Sequence, residues 1–212
     1  MKYMIMKYLI VLLLSLLTIQ PASSAPADSS AGILVLGDSL SGAYGIDRTQ
    51  GWVSLLQQKL DAEGYGYQVI NASVSGDTTR TGLGRIDTAL ASHNPDIAII
   101  ALGGNDGLRG LPFDEIETSL ASIIERCRTS GTRVLLVGVR LPPNYGSAYT
   151  QKFAEIYTTL AQRYQIPLVP RVLEDIAENP ELMQQDGIHP TAAAQPKVMM
   201  NIWTGLEPML NK

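Results

Sequence analysis

Short aliphatic runs, each ending in a glycine-bearing or polar loop and separated from the next by a helical pattern, constrain this chain more than any other feature. Ile33-Leu34-Val35-Leu36 leads into Gly37-Asp38-Ser39-Leu40-Ser41, and Gln68-Val69-Ile70-Asn71-Ala72 into Ser73-Val74-Ser75-Gly76-Asp77. Asp96 to Leu102 leads into Gly103-Gly104-Asn105-Asp106-Gly107, and Val134 to Val139 into Leu141-Pro142-Pro143-Asn144-Tyr145-Gly146. Runs this short and rich in branched side chains read as strands buried on both faces of a sheet. Between them, Trp52, Leu55, Leu56 and Leu60 recur at helical spacing, and Thr78 or Thr79 caps a helix through Leu83, Ile86 and Leu90 to about His93. Further helical patterns cover Phe113 to Arg128 and Tyr149 to Tyr164. Ile166-Pro167-Leu168-Val169 reads as a short last strand, at an edge because proline cannot donate to a ladder. After an irregular stretch from Pro170 to His189, a final helix runs through Val198, Met199, Ile202 and Leu206, with Pro196 interrupting its start. Alternation of strands and helices predicts βαβ units, a five-stranded parallel sheet and a three-layer α/β/α domain. Periodicity does not give the strand order.

Residues 1–27 differ in character from the rest. Lys2 and Lys7 precede an apolar run from Tyr8 to Ile19, and small residues follow in Pro21-Ala22-Ser23-Ser24-Ala25-Pro26-Ala27. This is the layout of a secretory signal peptide cleaved after Ala27, with a run shorter than the roughly 20 residues of a spanning helix. The expected product is an exported, periplasmic or secreted protein of one domain, residues 28–212, monomeric and without a stable membrane anchor. Removal of Lys2 and Lys7 changes 16 basic against 20 acidic residues to 14 against 20, a net charge of −6, which argues against a nucleic-acid partner. The single cysteine, Cys127, has no internal disulfide partner and falls in a helical pattern with Ile123 and Ile124, as a small core residue does.

The loops after the aliphatic runs and before the last helix carry the chemistry-bearing residues. Ser39 stands one step beyond a strand end, where parallel sheets keep their ligands. An activated serine needs a base within hydrogen-bond reach and a partner that fixes the base's tautomer. Asp186 and His189, three positions apart, suit those tasks, although an Asp-x-x-His pair also forms as a simple turn bond. Of the two histidines, His93 lies at a helix C-terminus, where it interacts with the helix dipole. So few histidines, with no zinc-type spacing, predict no metal and no cofactor. Acyl transfer also requires donors for an oxyanion. The N–H groups of Ser39 and Gly76 and the amide of Asn105 are candidates, with a turn residue and a left-handed cap as the alternative readings of Gly76 and Asn105.

Together these residues resemble the SGNH hydrolases, also called the GDSL lipase/esterase family. Its blocks centre on Ser, Gly, Asn and His, and here they read Gly37-Asp38-Ser39-Leu40-Ser41, Gly76-Asp77, Gly103-Gly104-Asn105-Asp106 and Asp186-x-x-His189. The segments 72–78, 103–110 and 140–146 look like its subgroup of periplasmic multifunctional thioesterases, lysophospholipases and arylesterases. The resemblance implies a flavodoxin-like sheet, a catalytic triad of Ser39, His189 and Asp186, and an oxyanion hole from Ser39, Gly76 and Asn105. It also implies a substrate-binding surface at Leu108, Arg109, Gly110, Pro142 and Tyr145, and small-molecule acyl esters or thioesters as substrates. A carbohydrate acetylesterase on the same fold and a non-catalytic exported binding protein are the rival readings. No Gly-x-Ser-x-Gly elbow surrounds Ser39, so an ordinary α/β-hydrolase arrangement is not indicated.

Overall fold

The structure is a computed structural model and describes residues 31–211. The signal segment assigned to residues 1–27 lies outside the described residues. The chain runs β1 (Ala31–Gly37), α1 (Trp52–Ala62), β2 (Tyr67–Asn71), α2 (Thr79–His93), β3 (Ile97–Ala101), α3 (Gly104–Leu108), α4 (Phe113–Thr129), β4 (Arg133–Val137), α5 (Ser147–Tyr164), β5 (Leu168–Val169) and α6 (Gln195–Leu206). All five strands pair in parallel, in the order β2-β1-β3-β4-β5.

Side-chain alternation along the strands divides the core in two. Ile33 and Val35 of β1 point to one face, where α1 contributes Trp52, Leu56 and Leu60 and α6 contributes Val198, Ile202, Trp203 and Leu206. Leu34 and Leu36 point to the other, against Ile86 and Leu90 of α2, Ile116, Leu120, Ile123 and Ile124 of α4, and Phe153, Ile156, Tyr157 and Leu160 of α5. Because both faces are covered, the central strands are aliphatic without interruption, as the sequence predicts. Cys127 lies buried in the second layer, and its burial pushes the thiol up to about 12, so it stays an inert core residue. His93 occupies the exposed last turn of α2.

Several local details refine the sequence reading or depart from it. Thr78 is the cap of α2: its side chain accepts from Thr81 N while its own N–H donates to Thr81 Oγ1. Pro196 sits in the first turn of α6, where a missing N–H costs nothing, and does not interrupt it. β5 is shorter than expected, but the Pro167 carbonyl still accepts from Leu136 N at 3.0 Å, so the proline serves the ladder as acceptor only. The loop expected from Gly103 to Gly107 folds as the helical turn α3. Local propensity disfavours a helix there, and tertiary contacts impose it. Gly103 takes φ +113, and a Cβ on it would lie 2.1 Å from the Tyr157 hydroxyl, which donates to Leu102 O at 2.8 Å. Asp106 accepts from Thr79 N and from Thr79 Oγ1 at 2.6 Å, tying α3 to the start of α2.

From β1 the chain moves outward to β2, and then returns past β1 to β3. Strand order therefore reverses between β1 and β3, and a crevice opens beyond their carboxyl ends. Ser39 and Asn105 follow those two strands. The packing makes one direct prediction. Leu56 is fully buried between α1 and the sheet, so Leu56→Ala should lower unfolding free energy in urea by about 2–5 kcal/mol; a loss below about 0.5 kcal/mol would contradict this packing.

Candidate active site

Gly37 ends β1 because a side chain there has no room: a Cβ would lie 2.5 Å from Ser41 Oγ. The chain then turns sharply, with Ser41 N and Gly42 N both donating to Asp38 O (3.2 and 2.9 Å) and Tyr44 N donating to Ser39 O (3.2 Å). This turn presents Ser39 at the crevice. Its Oγ lies 2.8 Å from His189 Nε2, and His189 Nδ1 lies 2.7 Å from Asp186 Oδ2. Asp186 also accepts from the backbone N–H groups of Ile188 (2.9 Å) and His189 (3.0 Å) through Oδ1. One carboxylate thus fixes both the loop and the imidazole it carries. The loop is anchored from behind, where Gln184 N donates to His189 O at 2.7 Å and Gln184 Nε2 donates to Tyr44 O at 2.9 Å.

Two carboxyl groups near Ser39 have opposite electrostatic settings. Partial burial would raise the pKa of Asp186, but the N–H groups of His189 and Ile188, together with the imidazole, outweigh it and hold the carboxyl down at about 2. Asp186 is therefore an anion at any ordinary pH, suited to accept from Nδ1–H. Asp38 is 4% exposed, and burial pushes it up to about 6 against the opposing effects of the Leu40 N–H, His189 and the Asn105 amide. Its Oδ1 accepts from Leu40 N at 3.0 Å and its Oδ2 from Asn105 Nδ2 at 3.3 Å.

Asn105 lies in the first turn of α3 and joins the loops. Besides its contact with Asp38, Asn105 Nδ2 donates to Asp77 O at 3.0 Å. Gly76 takes φ +84, a conformation open to glycine at low cost. Arg109 Nη2 donates to Gly76 O at 3.0 Å and reaches Asn105 Oδ1 at 3.5 Å. The loop after β2 is held further by Arg85, which donates to Ala72 O at 2.9 Å and forms an ion pair with Asp77.

Beside Ser39, Asn105 and His189 opens a cavity of about 450 Å³. Its wall is chiefly apolar: Leu40, Leu108, Val139, Leu141, Pro142, Pro143, Leu173, Ala177, Met183 and Ile188, with Asp38 and the exposed pair Arg140 and Glu178 (3.3 Å) also lining it. Of the substrate-contact residues named from the sequence, Leu108 and Pro142 line this cavity. Arg109, Gly110 and Tyr145 do not. Arg109 braces Gly76 and Asn105, and the Tyr145 hydroxyl donates to Leu108 O at 2.9 Å, so both hold the wall from outside. Among the described residues, no group of three or more His, Cys, Asp or Glu is placed to hold a metal ion.

Sequence reasoning missed the residues that act through tertiary contact. Asp38 reaches Asn105 across 67 positions, Asp106 reaches Thr79 across 27, and Tyr44 packs on His189 with ring centroids 4.4 Å apart. No spacing rule announces such pairs. Asp38 gives a prediction with a definite sign. A carboxyl whose folded pKa lies above its unfolded value of about 3.9 favours the native state most below pH ~4, and that contribution is lost as pH rises towards about 6. Urea unfolding should thus show the stability of Asp38→Asn, relative to the wild type, improving by about 2–3 kcal/mol from pH 4 to pH 7; a difference independent of pH would contradict the assignment.

Comparison with known proteins places the chain in a family. The profile of the GDSL-like lipase/acylhydrolase family matches residues 35–195. The chain is 48% identical over 178 residues to "Esterase TesA" of Pseudomonas aeruginosa, covering 84% of this chain and 89% of the relative. It is 44% identical to the "Arylesterase" of Vibrio mimicus, covering 82% and 86%. It is 39% identical to "Thioesterase 1/protease 1/lysophospholipase L1" of Escherichia coli K12, covering 89% and 88%. A crystal structure of TesA superposes with a TM-score of 0.83 at 47% identity, covering 84% of this chain and 99% of that one. By its sequence, its sheet order and its loops, the chain belongs to the GDSL-like lipase/acylhydrolase family and is an ester hydrolase.

Proposed function

We propose that Ser39 is the nucleophile, His189 the general base and acid, and Asp186 the anion that orients and steadies the imidazole. The observation that carries this reading is the unbroken hydrogen-bond chain from Ser39 Oγ through His189 to Asp186, at 2.8 and 2.7 Å, beside an apolar cavity of about 450 Å³. As Ser39 Oγ bonds to the substrate carbonyl carbon, its proton passes to His189 Nε2. The carbonyl oxygen becomes an oxyanion held by the N–H groups of Ser39 and Gly76 and by Asn105 Nδ2. Collapse of this intermediate breaks the bond to the leaving alcohol or thiol, which takes the proton from His189. Water then attacks the acyl-serine, giving its proton to the same nitrogen, and the acid departs as that proton returns to Ser39.

Substrates are esters and thioesters whose acyl part occupies the apolar cavity. The names of the relatives, esterase, arylesterase and thioesterase/lysophospholipase, support that range. A cavity this large and apolar favours longer acyl groups over acetylated sugars, whose acyl part is two carbons long. A turning hydroxyl, imidazole and carboxylate in contact also weigh against a binding protein without turnover. Export follows from the leader: residues 1–27 direct the chain out of the cytoplasm and are removed, leaving the enzyme to act in the periplasm or outside the cell.

Ser39→Ala should abolish labelling by a fluorophosphonate probe and lower hydrolysis of a 4-nitrophenyl ester by at least about 10³-fold, with the fold intact by circular dichroism. Probe labelling that persists in Ser39→Ala would move the nucleophile elsewhere. Asn105→Ala should lower kcat by about 10²–10³-fold; a kcat within about twofold of the wild type would remove Asn105 from the oxyanion hole.

A further inference from the structure

The three groups assigned above to the oxyanion, the N–H groups of Ser39 and Gly76 and the amide of Asn105, come from loops that follow three different strands, β1, β2 and β3. In the sheet, β1 lies between the other two. The loops of Gly76 and Asn105 therefore start from strands two spacings apart, roughly 10 Å. In sequence α2 and β3 separate them, so their mutual placement depends on side chains that cross from one loop to the other.

Gly76 most needs such a tie. Glycine is the residue with the greatest backbone freedom, and Gly76 takes φ +84 with only Arg109 Nη2, at 3.8 Å, within 4 Å of where a Cβ would stand. Its N–H donates to no group among the described residues, which leaves it open to a ligand but unable to fix its own peptide. What holds the residue is the peptide that follows it: Asp77 N donates to Val74 O at 3.1 Å, and Gly76 O accepts from Arg109 Nη2 at 3.0 Å.

Arg109 stands four residues after Asn105, and its backbone N–H donates to Asn105 O at 3.1 Å at the end of α3. That spacing sets its side chain beside that of Asn105. The same Nη2 that holds Gly76 O lies 3.5 Å from Asn105 Oδ1, so one guanidinium nitrogen meets a carbonyl of each residue. The other contact between the two loops at this point, from Asn105 Nδ2 to Asp77 O, uses the very atom that an oxyanion would draw to itself. The Arg109 tie uses no donor that the oxyanion needs, and it persists when Nδ2 turns to substrate. Arg109 is exposed and lies outside the cavity wall, away from the acyl chain.

We propose that Arg109 is the positioning residue of the oxyanion hole, holding Gly76 and Asn105 at one spacing while their N–H groups bind the substrate oxygen. The proposal rests on the assignment of those donors given above. An oxyanion forms in acylation and again in deacylation, so a residue acting in this way speeds both. A substrate contact would act through KM instead.

The test measures hydrolysis of 4-nitrophenyl butyrate, and single-turnover deacylation of the butyryl-enzyme, for wild type, Arg109→Ala, Arg109→Lys, Asn105→Ala and the double variant carrying Asn105→Ala and Arg109→Ala, each with its fold checked by circular dichroism. Arg109→Ala should lower kcat about ten- to hundredfold, the scale of a catalytic group displaced by about 1 Å, with KM within about threefold of wild type and deacylation slowed as well. Arg109→Lys, which keeps a charged donor of different reach, should show a smaller loss of the same kind. With Asn105→Ala already in place, one of the two positioned donors is gone, and Arg109→Ala should cost only about threefold more. Losses that simply multiply in the double variant, a loss confined to KM, unchanged deacylation, or a kcat within about twofold of wild type in Arg109→Ala would overturn the proposal. A wild type that is not labelled at Ser39 by the fluorophosphonate, or an Asn105→Ala variant with undiminished kcat, would instead overturn the reading of the site on which it stands.

Discussion

A parallel sheet covered by helices on both faces has one place left for polar chemistry, the carboxyl edge of its strands, and every functional group described above depends on that constraint. Leu34 and Leu36 face one helical layer and Ile33 and Val35 the other, so β1 can present nothing polar until it ends. It ends at Gly37, and Asp38 and Ser39 follow at once. β3, its neighbour on the far side of the strand-order reversal, ends at Ala101 and is followed by Gly103 and the turn that carries Asn105. The reversal separates the helical crossovers above these two strands, which leaves Ser39 and Asn105 beside an open crevice and not beneath a connection.

Within the crevice, carboxyl groups of one chemical type have been given different work by their surroundings. Asp186 stands on a half-exposed loop, accepts backbone N–H groups on Oδ1 and the imidazole on Oδ2, and stays ionised. Asp38 is buried among groups that only partly offset the loss of water, and it bonds the Asn105 amide. That bond, with the one to Asp77 O, fixes the orientation of the Asn105 amide: the nitrogen is directed to acceptors and the oxygen to Arg109. Rigidity at the site comes from side chains outside the family motifs, including Arg85 on the loop after β2 and Tyr157 beneath Gly103.

How much of this was legible in the sequence follows from the range of the interactions. β1, β3 and β4 could be read because burial on both faces leaves an aliphatic run, and α2, α4 and α5 because Ile86 and Leu90, Ile116 and Leu120, and Phe153 and Tyr157 repeat at helical spacing. The contact between Asp186 and His189 is local, a three-residue turn. Strand order was not legible in the periodicity, since it is decided by which edges meet; only the family resemblance implied it, as the flavodoxin-like order that the sheet has. α3 could not be read either: Gly104-Asn105-Asp106-Gly107 has the composition of a loop, and only Tyr157, Thr79 and the left-handed Gly103 make it helical. Arg109 was read as a substrate contact from its place in a motif, but it lies outside the cavity wall and braces the carbonyl of Gly76. Tyr44 meets His189 across 145 positions, a pairing that no local pattern foretells.

The central claim is that distant loops converge to hold one tetrahedral centre. A crystal structure of the enzyme after reaction with an alkyl phosphonate ester tests it most directly. The account predicts phosphorus bonded to Ser39 Oγ, one phosphonyl oxygen within about 3 Å of the N–H of Gly76 and of Asn105 Nδ2, and the alkyl chain in the cavity beside Leu108 and Leu141. An adduct on another side chain, or a phosphonyl oxygen turned away from Gly76 and Asn105, would contradict it.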